Sequence, residues 1–60
     1  MERAVELSYN NIRGLETETL LGMKEYLDNS LARKKIAEIN HSAPVAAIRI
    51  ILAERGLTIN

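Results

Sequence analysis

Apolar residues recur at helical spacing in several places along the chain, and the most apolar stretch organises the rest. From Ser42 to Gly56 the sequence reads Ser-Ala-Pro-Val-Ala-Ala-Ile-Arg-Ile-Ile-Leu-Ala-Glu-Arg-Gly. Val45, Ile48 and Leu52 fall on one helical face, Ala47, Ile50 and Ile51 spread onto others, and only Arg49 interrupts before Glu54. A surface helix carries one apolar stripe and one polar face. A helix this apolar needs cover on several sides. Its ends are marked: Ser42 can accept a hydrogen bond from a free first-turn amide. Pro44 falls in that first turn, where a missing N–H costs nothing. Gly56 can take the left-handed conformation that closes a helix. The Ile50-Ile51 pair would suit a strand, but the caps and the alanines favour a helix over Ser42–Arg55.

The preceding segments repeat the pattern more weakly. Val5, Tyr9 and Ile12 share a helical face that Ala4 and Leu7 widen, with Gly14 as a stop. A second helix opens at Thr17 as N-cap, with Glu18 placed favourably against the helix dipole. Its stripe is Leu20, Met23, Leu27 and Leu31, broadened by Leu21, and Gly22 in its interior costs about 1 kcal/mol against alanine. Asp28-Asn29-Ser30 offers a break, after which Leu31, Ala32, Ile36, Ala37 and Ile39 form the apolar side of a third segment, Ser30–Ile39. The same residues stay in phase with Leu27, so residues 17–39 read as one helix or two. Asn40-His41-Ser42 then makes a turn, and Leu57-Thr58-Ile59-Asn60 is a tail in which Leu57 folds back on the last helix. The fold class is all-α: three or four short helices in a small bundle, one domain over residues 1–60.

Sixty residues change that picture in one respect. A chain this short buries about 60% of its unfolded surface, so its core is marginal without disulfides, metal or association. The sequence has no cysteine and one histidine, His41, which removes disulfides and a His-pair metal site. Self-association is the remaining reinforcement, and a homodimer with Ile48, Ile50, Ile51 and Leu52 at the interface is expected. The lack of cysteine and of an apolar leader after Met1-Glu2-Arg3 points to the cytoplasm. With no apolar run of about 18 residues, neither a membrane span nor a membrane partner is expected.

Net charge is zero but unevenly spread. Residues 1–30 hold six acids and three bases, a balance of −3; residues 31–60 hold five bases and two acids, a balance of +3. The bases of the second half, Arg33, Lys34, Lys35, Arg49 and Arg55, are the candidate phosphate contacts. Catalysis requires a nucleophile, a base and an orienting group that converge. His41 beside Ser42 in a turn is no such constellation, and Gly14, Gly22 and Gly56 are too isolated for a phosphate loop. No enzyme, cofactor, metal or small-molecule substrate is expected.

Two partial resemblances cover residues 33–57. Arg33 to Leu57 places two helices around a short turn, with Ile36-Ala37-Glu38 and Ser42 in the positions of a first helix and cap. That layout resembles helix-turn-helix proteins, which implies a second helix in the DNA major groove. His41 stands where that family usually has glycine, and Ala46, Ala47, Ile50 and Ile51 occupy positions where polar base-reading side chains belong. Ala43-Pro44-Val45-Ala46-Ala47-Ile48 followed by Ile51-Leu52-Ala53-Glu54-Arg55-Gly56 resembles a helical segment of phage terminase small subunits, which implies an oligomeric, non-catalytic DNA-packaging accessory. The residues themselves favour a regulatory or accessory protein that binds another protein through its apolar helix. A DNA-binding or phage-packaging role is the alternative.

Overall fold

Three of the four apolar periodicities become helices, and their boundaries shift. The computed structural model describes residues 2–57, and three helices account for most of them: α1 (Arg3–Ile12), α2 (Thr17–Ala32) and α3 (Glu38–Glu54). No strand occurs among the described residues. Thr58 to Asn60, most of the expected tail, lies outside them.

The second helix starts one residue earlier than its expected cap allows. Glu16 is extended and its carbonyl accepts the Leu20 amide, so Thr17 is the first helical residue and not the N-cap. The helix then runs unbroken through Asp28-Asn29-Ser30 and stops at Ala32, and no separate helix spans Ser30–Ile39. Its stop is a Schellman motif. Lys34 takes a left-handed φ of 58°, its amide bonds the Leu31 carbonyl at 2.9 Å, and the Lys35 amide bonds the Ser30 carbonyl at 2.8 Å.

The third helix differs most from its sequence signals. It begins at Glu38, four residues before Ser42, with Ala37 as N-cap and the Asn40 and His41 amides bonded to the Ala37 carbonyl. Asn40-His41-Ser42 is therefore helical, and the turn between the last two helices lies at residues 33–37. Ser42 caps nothing; its hydroxyl donates, at 3.5 Å, to the Ile39 carbonyl in the turn before it. Pro44 is inside the helix, where it cannot donate to the Asn40 carbonyl. Glu38 in the first turn suits the helix dipole, and His41 ties the same turn to α2, so the helix persists on the N-terminal side of the proline. The C-terminal end is as the sequence indicates. Gly56 has φ 80°, its amide bonds Ala53, and the Leu57 amide bonds Leu52, a second Schellman closure.

α3 is the centre of the fold. α1 and α2 both pack on it and barely meet each other. The core is Leu20, Ile48, Ile51 and Leu52, with Tyr9, Ile12, Met23 and Leu27 packed around it; Val5, Val45 and Ala47 are buried as well. Leu7, expected to widen the buried face of α1, is instead 57% exposed, and Leu21 also faces water. α2 and α3 form an antiparallel pair. Arg55 reaches Thr17 at one end, and His41 meets Asp28 at the other.

Candidate binding surface

The expected interface residues mostly belong to the core. Ile48, Ile51 and Leu52 are each at most 2% exposed within a single chain. α1 and α2 supply the cover that a second copy was expected to give, and only Ile50 of the four keeps partial exposure. The solvent side of α3 carries small residues, Arg49 and Ile39.

The five candidate phosphate contacts separate into three places. Arg33, Lys34 and Lys35 are exposed in the α2–α3 turn, and neither Glu25 nor Asp28 pairs with them. Arg49 is exposed on α3. Arg55 lies at the far end of that helix, about 25 Å of helical rise from its start. Its guanidinium donates to the Arg13 carbonyl at 2.9 Å, the Leu15 carbonyl at 2.6 Å and the Thr17 hydroxyl at 3.1 Å. It clamps the α1–α2 turn and has few donors left for a phosphate.

His41 is half-buried and helical, not a turn residue in solvent. Its Nε2 nitrogen donates to Asp28 Oδ1 at 2.6 Å, and Lys24 donates to Asp28 Oδ2 at 2.7 Å. These donors, Lys24 first and then His41, hold the Asp28 carboxyl below its usual range. The Tyr9 hydroxyl donates to Glu54 at 2.6 Å, and its pKa is raised because ionisation would give up that hydrogen bond and then set two anions together. Both contacts join helices. The Ser42 hydroxyl turns to its own helix and leaves His41 without a nucleophile to activate. No group of three or more candidate metal ligands occurs among the described residues, and no described helix is long and apolar enough to cross a membrane.

The surface that sequence reasoning missed is on α2. Gly22, Met23, Tyr26, Leu27 and Pro44 line a shallow, almost wholly carbon-walled groove of about 460 Å³. Beyond it, Tyr26, Asn29, Ser30, Arg33 and Lys35 line a polar pocket of about 350 Å³. Tyr26, 71% exposed, is common to both. A Cβ at Gly22 would meet nothing within 4 Å, so this glycine admits no neighbouring backbone and leaves the groove open. The signal was present in the sequence: Leu20, Leu21, Met23, Tyr26 and Leu27 are too many large side chains for one buried stripe. Comparison with known proteins adds no relative: no protein-family model, curated protein or solved structure matches the chain.

Proposed function

We propose that the chain is a small, non-catalytic regulatory or accessory protein that acts by binding another protein. The observation that carries this reading is the apolar groove on α2, with Tyr26 standing exposed at its edge. Large exposed aromatic and aliphatic side chains beside a concave apolar surface are what a protein anchor recognises. The apolar face used is on α2, backed by Pro44, and not on the buried side of α3. Self-association, the reinforcement expected of so short a chain, would use the same face.

Photo-crosslinking tests the reading. A photoreactive residue at position 26 of the full chain should give discrete protein adducts in cells of the source organism, and the same residue at Ala53 should not. Equal labelling from both positions, or adducts dominated by nucleic acid, would count against it.

A second reading has its own support: the Arg33-Lys34-Lys35 turn, without an acidic partner among the described residues, precedes a helix that exposes Arg49. A helix-turn-helix-like regulator, or a packaging accessory, would place those cations on phosphates. Changing Lys34 and Lys35 to glutamate would then flatten the log K against log salt slope for duplex DNA by roughly two. Lack of DNA affinity in the parent at low salt removes this reading.

A further inference from the structure

The groove and the polar pocket share one aromatic ring, and their spacing restricts what can fill both. We propose that the occupant is a short protein segment with an apolar anchor and, about 9 Å further along, a carboxylate. The anchor sits over Met23, Leu27 and Pro44, and the acid between Arg33 and Lys35. This deepens the protein-binding reading and depends on it.

Gly22, Tyr26, Asn29 and Arg33 recur at i, i+4, i+7 and i+11, so groove and pocket lie on one face of α2 and its C-terminal turn. From the middle of the α2 lining of the groove to the middle of the pocket lining is about six residues along α2 and its C-terminal turn, or roughly 9 Å at ~1.5 Å per residue. Three residues of extended chain at ~3.3 Å each cover that distance, as do about two turns of helix. Tyr26 bridges the two parts as a rigid surface with a polar tip.

Charge decides the second half of the motif. Asp28, on the far side of α2 from the pocket, is already engaged by Lys24 and His41. Arg33, Lys34 and Lys35 have no acidic partner among the described residues. Glu25 sits one turn before Asn29, at the margin of the pocket, and pairs with neither Arg33 nor Lys35 among the described residues. An incoming carboxylate therefore meets uncommitted cations, and Arg33 can hold it with two parallel donors. Nucleic acid fits less well. It would leave the carbon-walled groove uncovered; Arg55 is clamped at the opposite end, Lys24 is paired, and Arg49 on α3 lines neither the groove nor the pocket.

The experiment pans a random library of displayed peptides against the full chain, then measures the best peptide by fluorescence anisotropy. Enriched sequences should carry an apolar residue with Asp or Glu three or seven positions away. Converting those acids to amides should weaken binding at least about tenfold, as should Arg33→Glu or Lys35→Glu in the protein. Tyr26→Ala should weaken it similarly. All three positions are exposed, so the variants should melt like the parent, which separates lost binding from lost folding. Purely apolar peptides with no acid preference would overturn the motif and leave the protein-binding reading intact. No enrichment would overturn both. Duplex DNA that binds more tightly than any peptide, and is lost in Arg33→Glu, would assign the pocket to phosphates and overturn the proposal. So would a dimer in sedimentation that Tyr26→Ala dissociates, since a second copy would then fill the groove.

Discussion

Replacing Lys34 by glycine should stabilise the protein, although it removes a side chain and a charge. Lys34 is the one described residue other than glycine with positive φ, at 58°. For a residue bearing a Cβ that conformation costs about 1–2 kcal/mol. The motif holds it there because two amides, those of Lys34 and Lys35, close on the Leu31 and Ser30 carbonyls. Glycine removes the steric cost but gives the unfolded chain extra freedom worth about 0.4–1 kcal/mol. The net gain is about 0.5–1 kcal/mol, which for a domain of this size raises Tm by about 2–8 °C. Thermal and urea melts followed by circular dichroism read it directly. Lys34→Ala is the control: it removes the charge but keeps the Cβ, so it should match the parent. Gly56, at φ 80° on the equivalent closure of α3, supplies the converse, and Gly56→Ala should lose about 1 kcal/mol. If Lys34→Gly melts no higher than Lys34→Ala, residue 34 is not left-handed and the α2 closure is wrong.

Four other outcomes are expected. Ile48→Ala or Leu52→Ala should cost about 2–5 kcal/mol against a total stability of about 3–9 kcal/mol for a chain this long; a urea midpoint equal to the parent's would remove that side chain from the core. Asp28 has a folded pKa below its unfolded value near 3.8, so its contribution is present above that value and is lost as pH falls through the lower folded pKa; urea midpoints across the acid range should fall less steeply for Asp28→Asn. Arg55→Gln should destabilise by about 1 kcal/mol and speed amide exchange in residues 13–17; an effect on DNA affinity with unchanged exchange would restore Arg55 to a phosphate role. Gly22→Ala should gain about 0.5–1 kcal/mol of helix stability, measured in the same melts, because a Cβ there meets nothing within 4 Å.

The helices and their buried faces were legible because periodicity reports burial directly. Val5, Tyr9 and Ile12 on α1, and Val45, Ile48 and Leu52 on α3, all turn inward. Helix ends were less legible where local signals competed with tertiary contacts. Ser42 and Pro44 together resemble a start, yet α3 extends past them because Glu38 suits the first turn and His41 finds Asp28 on the neighbouring helix. No spacing rule shows a pairing thirteen residues apart across a turn. The same limit applies to Arg55, whose three acceptors come from a turn about forty residues earlier. The apolar surplus of α3 was visible, but periodicity does not say whether the cover comes from the chain's own helices or from a partner.

The central place of α3 also governs how the protein is made. α1 and α2 touch α3 far more than each other, so neither they nor the pair of them has a core to fold around while α3 is still inside the ribosome. Leu20 and Val5, buried in the finished fold, emerge into solvent first and wait there. Folding must therefore follow release of the third helix and involve the whole domain at once. Until then the nascent chain leaves its apolar faces in water, and a chain truncated before Glu38 would lack the helix on which both others pack.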